Sequence, residues 1–151
     1  PEKLIPLMLL KAWADEPLPV YGDGRNVRDW IYVRDHCRGV ELALLQGKSG
    51  GVYNFGGAAE MPNLDVVRAI LRRTGRPESL IRFVKDRPGH DRRYAMDFGK
   101  ARRELGFEPS VDFETGLHRT VAWYAENRAW LDSVQSGAYR EFMGQWYKER
   151  Q

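Results

Sequence analysis

The 151-residue sequence contains a single cysteine, Cys37. An internal disulfide is thereby excluded, and the expectation is a reduced, cytoplasmic protein. Long apolar runs are absent too. The best, residues 4–14, is broken by Pro6 and Lys11, well short of the roughly 20 residues that a membrane-spanning helix needs, so no membrane association is expected. No signal-peptide pattern is present. The three histidines, His36, His90 and His118, lie far apart and show neither HExxH nor Cys/His ligand spacing, so no metal is expected. Gly-x-Ser-x-Gly and Walker A sequences are missing, and Gly22-x-Gly24 is followed by Val27 where a dinucleotide-binding loop needs its third glycine. Cys37 adjoins His36, but neighbours on a helix point about 100° apart, which predicts a buried cysteine rather than a nucleophile and its base.

The composition is that of a globular chain, with 42% hydrophobic and 30% charged residues, and a chain of this size suffices for one domain. It opens on Pro1 rather than methionine and is expected to be a piece of a longer protein. The net charge is +3, carried by eighteen arginines against six lysines among the 24 basic residues. Arg72-Arg73 and Arg102-Arg103 fall in helical segments and read as solvated faces. With no basic run of five or more residues, the surplus suits a small anionic ligand better than nucleic acid, because the arginine fork matches phosphate.

The apolar spacing predicts helices over residues 2–14, 35–46 and 64–74, the last with Asn63 as its N-cap and Gly75 as its stop. Residues 17–22, with Pro17 and Pro19, must be extended. Strands are expected over residues 27–33, 52–55 and 80–84. Asp97 and Asp112 each cap a further helix, and residues 129–151 tend to helix with a break at Ser136-Gly137. Alternating strands and helices define an α/β chain.

An anion-binding constellation runs through the extended segments. Arg28 and Asp29 open a strand, Asn63 sits at a helix N-terminus, and Asp86-Arg87-Pro88-Gly89-His90 is a donor-rich loop after a strand. Arg28 and Arg87 could each grip one phosphate of a diphosphate, with Asn63 and His90 filling the remaining lone pairs. The competing reading pairs Arg28 with Asp29 or Asp35, and Arg87 with Asp86 or Asp91, as surface ion pairs.

Several blocks occur in one order: Pro1-Glu2-Lys3-Leu4-Ile5-Pro6, Pro19-Val20-Tyr21-Gly22, Arg28-Asp29-Trp30-Ile31-Tyr32-Val33, Tyr53-Asn54-Phe55-Gly56-Gly57, Asn63-Leu64-Asp65-Val66-Val67 and Asp86-Arg87-Pro88-Gly89-His90-Asp91-Arg92-Arg93-Tyr94. With Glu104-Leu105-Gly106-Phe107 and Ser136-Gly137-Ala138-Tyr139, they resemble the C-terminal part of the dTDP-glucose 4,6-dehydratases, a family of the extended short-chain dehydrogenase/reductases. The resemblance implies that Arg28, Asn63, Arg87 and His90, with Asp86, Pro88 and Gly89 of the same loop, hold a diphosphate and its adjoining groups. It implies that Pro19, Val20 and Tyr21 line a thymine pocket, that Lys3 and Leu4 add nucleotide-sugar contacts, and that Tyr147 reaches the ligand.

It further implies a longer, homodimeric enzyme that uses NAD to convert dTDP-glucose to dTDP-4-keto-6-deoxyglucose, with loss of water. The glycine-rich cofactor loop and the Tyr-x-x-x-Lys pair of that family are not in this chain, since none of its seven tyrosines is followed four residues on by lysine. The expectation is therefore the substrate-binding portion, inactive alone and without its own NAD or catalytic residues. Residues 35–57 would return to the Rossmann sheet of a preceding cofactor domain, leaving Val40, Leu44 and Val52 uncovered here and favouring self-association. Two alternatives remain: another sugar-nucleotide epimerase or dehydratase using UDP- or GDP-sugars, and a small basic nucleic-acid-binding module.

Overall fold

The computed structural model describes residues 3–137. In chain order the elements are α1 (Leu4–Trp13), β1 (Leu18–Tyr21), β2 (Val27–Asp29), α2 (Val33–Gln46), β3 (Glu60–Pro62), α3 (Asn63–Thr74), β4 (Ile81–Val84), α4 (Gly99–Leu105), α5 (Phe113–Glu126) and α6 (Arg128–Ser136). A 3-10 turn over Glu78–Leu80 leads into β4.

The strands form two small sheets. β1 runs parallel to β4 with Leu18 opposite Ile81 and Tyr21 opposite Val84, while β2 runs antiparallel to β3 with Arg28 opposite Met61. A two-stranded pair leaves each strand one open edge, the position in which the missing N–H of Pro19 costs no ladder bond. The main core lies where α1 and α3 pack beside β1. Leu9, Leu18, Val66, Val67 and Ile70 are fully enclosed there, and truncating one of the leucines or the isoleucine to alanine should cost about 2–5 kcal/mol. A second cluster gathers on Phe107, whose ring meets Phe55 and Phe98 edge-on at 4.9 and 5.8 Å and joins α2 to α4.

Two aspartates staple the connections. Asp35, 3% exposed, accepts from the Ser110 hydroxyl at 2.6 Å and from the N–H groups of Ser110 and Val111 at 2.9 and 3.0 Å. Burial pushes its carboxyl up, and the three donors outweigh that, holding it below the usual carboxylate value. Asp29 accepts from the N–H groups of Gly57 and Ala59. The approach is so close that a Cβ on Gly57 would lie 1.9 Å from the Trp30 carbonyl oxygen, which only glycine permits.

Several sequence expectations need correction. The strand predicted over residues 27–33 stops at Asp29, because β3 offers only three partner residues, and α2 starts at Val33 rather than Asp35. Residues 52–55 are not a strand, having no partner strand among the described residues. β3, three residues ending on proline, is too short to leave a signal in the sequence. The N-cap of α3 is Pro62, without a side-chain cap bond, and Asn63 is already helical. Asp97 accepts from the Gly99 N–H at 2.7 Å one residue ahead of the cap position of α4, while Asp112 caps α5 as expected by accepting from the Thr115 N–H. Cys37 is exposed rather than buried, because α2 encloses only Asp35 and Gly39. The far face of α2 lies open, with Val40, Leu44 and Leu45 at 50%, 82% and 70% exposure and Val52 beyond it at 76%. Tyr147 lies outside the described residues, as do residues 138–151 in general.

Candidate diphosphate-binding site

The parallel pairing of β1 and β4 delivers Tyr21 and Val84 side by side at the same end of the sheet. The turn after Tyr21 and the loop 85–94 after Val84 therefore meet there. They are tied together by the Gly22 N–H to the Val84 carbonyl at 2.9 Å and by an Arg92–Asp23 ion pair at 3.1 Å. The same loop is strapped to β2: the Val27 N–H donates to the Arg92 carbonyl at 2.8 Å, and the Tyr94 N–H to the Val27 carbonyl at 3.0 Å.

Within this frame Asp86 and His90 form a pair. Asp86 accepts from Nδ1 of His90 at 2.6 Å and from the Arg87 N–H at 2.9 Å. The bond from His90 is the main reason its carboxyl lies below the ordinary value. The imidazole is 5% exposed, and the Tyr21 ring meets it edge-on at 6.1 Å while remaining half exposed itself. Pro88 and Gly89 form the exposed tip of the loop. The Arg87 side chain makes no hydrogen bond or ion pair with a described residue, although its charge reaches Asp86 and Tyr94. Among the described residues it is a cation without a carboxylate of its own.

Arg28 is likewise free of the carboxylates that could have claimed it. Asp29 is committed to Gly57 and Ala59, and Asp35 to Ser110 and Val111. Its guanidinium donates instead to two backbone carbonyls, Val27 at 2.6 Å and Asp91 at 3.0 Å, and lies 4.4 Å from the centre of the Tyr94 ring. Asn26, 3% exposed, also donates to the Asp91 carbonyl, and its own carbonyl accepts from the Asn63 N–H at 2.9 Å. Asn63 is thus joined through Asn26 to the segment that holds Arg28. Oδ1 of Asn63 is buried without a partner, and turning the amide over presents Nδ2 in its place.

Hydrogen bonds and ring contacts therefore link the segments that carry Tyr21, Arg28, Asn63, Asp86, Arg87 and His90. Val20 is 3% exposed, so its side chain belongs to the core and only its backbone is left for recognition; Pro19 is half-buried beside it. Lys3 is the N-cap residue of α1 and Leu4 packs against the core, and no hydrogen bond among the described residues joins either to the loop. Sequence reasoning missed Asn26, Asp91 and Tyr94 as members of the cluster. Asp91 and Tyr94 stand in the Asp86-to-Tyr94 block, but nothing in their spacing shows that the loop folds back onto Arg28. A cavity of about 900 Å³ lies elsewhere, between Trp30, Tyr32, Arg119, Trp123 and Tyr124, and none of the site residues lines it. Its walls mix five aromatic rings with aliphatic side chains, and Arg34, Arg119 and Thr120 stand among them beside the carboxylates Asp112 and Glu126.

The chain is thus an α/β scaffold whose candidate anion site draws arginine, histidine and amide groups from β2, the start of α3 and one loop. The chain belongs to the GDP-mannose 4,6 dehydratase family, whose model matches residues 1–120. It is 52% identical over 149 residues to a dTDP-glucose 4,6-dehydratase of Xanthomonas campestris, covering 93% of this chain and 42% of that relative. Among solved structures, a dTDP-glucose 4,6-dehydratase from Streptomyces venezuelae with NAD and TYD bound superposes with a TM-score of 0.83 at 49% identity, covering 86% of this chain and 40% of that one. A UDP-glucuronic acid 4-epimerase from Bacillus cereus, in complex with UDP-glucuronic acid and NAD, gives 0.78 at 28% identity, covering 83% and 40%. The chain spans about two-fifths of the length of the relatives it matches. No described helix is long and apolar enough to cross a membrane, and no described group of acidic, histidine or cysteine residues could hold a metal.

Proposed function

We propose that the chain is the nucleotide-sugar-binding portion of a dTDP-glucose 4,6-dehydratase. In this reading the longer, homodimeric protein converts dTDP-glucose to dTDP-4-keto-6-deoxyglucose by internal hydride transfer through NAD and loss of water. The observation that carries the reading is the pair Arg28 and Arg87. Neither guanidinium has a carboxylate partner among the described residues: Arg28 donates to the carbonyls of Val27 and Asp91, and Arg87 belongs to the loop that carries Asp91. Two arginines that no described carboxylate neutralises, on segments shared with an imidazole, match two linked phosphates. The Asp86 carboxylate fixes the imidazole through Nδ1, and the half-exposed Tyr21 ring offers a face to a base. The higher identity to the dTDP-glucose dehydratases than to the UDP-sugar epimerase supports dTDP over UDP.

The residues present do not fit NAD. The Gly22-Asp23-Gly24 turn is filled: a Cβ on Gly24 would lie 2.9 Å from the Leu64 Cβ and from Val20 Cγ1, and one on Gly22 3.0 Å from Asp86 Oδ2. Its glycines serve close packing and leave no phosphate cradle, so the cofactor and the chemistry at the sugar belong to another part of the longer protein. The open face of α2 with Val52 is the surface on which that part would pack.

Titration with dTDP-glucose, UDP-glucose and GDP-mannose tests the reading. Saturable binding with preference for dTDP-glucose is expected. Equal affinity for all three would replace it with the broader sugar-nucleotide alternative, and binding of none would remove it.

A further inference from the structure

Tyr94 has been given no role in holding the ligand, yet three features of the site converge on it. Arg28 lies against the face of its ring, with the guanidinium carbon 4.4 Å from the ring centre. Its hydroxyl donates to the Asp91 carboxylate, and the carbonyl of the same Asp91 accepts from Arg28 Nη2 at 3.0 Å. Its own N–H donates to the carbonyl of Val27, which also accepts from Arg28 Nη1 at 2.6 Å. A ring face and two carbonyls thus hold one guanidinium, and the Asp91 carboxylate in turn holds the ring. The ring is half exposed, so it is not in place to fill the core.

We propose that Tyr94 is a positioning residue for the diphosphate, holding the Arg28 guanidinium in a fixed plane so that its remaining N–H groups face the ligand. This rests on the nucleotide-sugar reading above. An arginine side chain gives up considerable rotamer freedom when it binds a phosphate, and one already restrained by a ring face and two carbonyls loses less on binding. The Asp91 bond matters because it orients the ring: a phenol tied at its hydroxyl cannot swing away from the guanidinium. Charge explains why a ring is used here. A carboxylate beside Arg28 would neutralise it and repel the diphosphate, whereas an aromatic face steadies the cation without an anionic charge. Asp91 does carry a charge, but it engages the phenol, and Arg28 meets only its neutral carbonyl.

The test is calorimetric titration of the full chain with dTDP and with thymidine, for the unsubstituted protein, Tyr94→Leu, Tyr94→Phe, Arg28→Ala and the Arg28→Ala/Tyr94→Leu double variant. Tyr94→Leu is expected to weaken dTDP roughly tenfold while leaving thymidine unchanged, and Tyr94→Phe, which keeps the ring, to stay within about threefold. In the Arg28→Ala background, Tyr94→Leu should change dTDP affinity by less than about twofold, because a residue that acts only through Arg28 has nothing left to position. A full Tyr94→Leu loss in that background, an equal loss for thymidine, or no loss in the single variant would overturn the role of Tyr94 while leaving the nucleotide-sugar reading intact. If the unsubstituted chain does not bind dTDP, that reading fails and the positioning role fails with it.

Discussion

Asp86 and His90, four residues apart on an exposed loop, meet through Nδ1 at 2.6 Å, and this contact is the main cause of the lowered Asp86 carboxyl. An ionised carboxylate cannot donate, so the proton of this bond lies on Nδ1. The group's folded value is depressed. The contact is therefore complete above the unfolded carboxylate value of about 3.9 and is lost as pH falls through the lower folded one. Following the Asp86 carboxyl carbon by NMR should give a midpoint below about 3.9, and a midpoint at or above that value would contradict the pairing.

Asp35 ties α2 to the connection before α5 through three donors while almost wholly enclosed. Its lowered carboxyl likewise adds stability above the unfolded value, lost as pH falls through the folded one. Asp35→Ala leaves those donors unsatisfied and should lower stability by about 1–3 kcal/mol at neutral pH. It should also flatten the acid limb of a thermal-midpoint profile measured from pH 3 to 7. A variant with unchanged midpoint and unchanged acid limb would show that the staple contributes nothing.

Gly57→Ala places a methyl 1.9 Å from the Trp30 carbonyl oxygen, against backbone that has no rotamer to retreat into. A loss of roughly 1–3 kcal/mol or more is expected, read as a lower thermal midpoint, together with weakening of the Asp29 bonds. Gly75→Ala is the useful contrast. No atom lies within 4 Å of its Cβ position, so its cost comes only from the left-handed backbone, φ +67. It should fall below that of Gly57→Ala.

These positions show what could be read from the sequence. The helices over residues 4–13 and 63–74 were legible because their apolar periodicity and the glycine stop at Gly75 are local properties, and the candidate anion-site residues could be named because arginine, histidine and asparagine types are visible without a fold. Pairings of distant segments were not legible. Neither the short β3 opposite Arg28 nor the fold-back of Tyr94 leaves a periodic trace. The predicted strand over residues 52–55 and the predicted burial of Cys37 follow ordinary propensities of sequence that presuppose a covering surface, and the described residues provide none.

The uncovered face of α2 gives a further expectation. With Leu44 and Leu45 at 82% and 70% exposure, the isolated chain should sediment above the 17.5 kDa of a monomer. Leu44→Glu should shift it toward that mass. A monodisperse monomer from the unsubstituted chain would count against this surface being adhesive.

The central claim concerns Arg87, whose guanidinium no described residue engages by hydrogen bond or ion pair. Calorimetric titration of the native chain and Arg87→Ala with dTDP and with a DNA duplex tests it most directly. The account predicts saturable dTDP binding that weakens by about 1.5–3 kcal/mol in Arg87→Ala, with the thermal midpoint unmoved and the duplex bound weakly and with a steep salt dependence. A duplex that outcompetes dTDP, or dTDP binding that Arg87→Ala leaves unchanged, would contradict it.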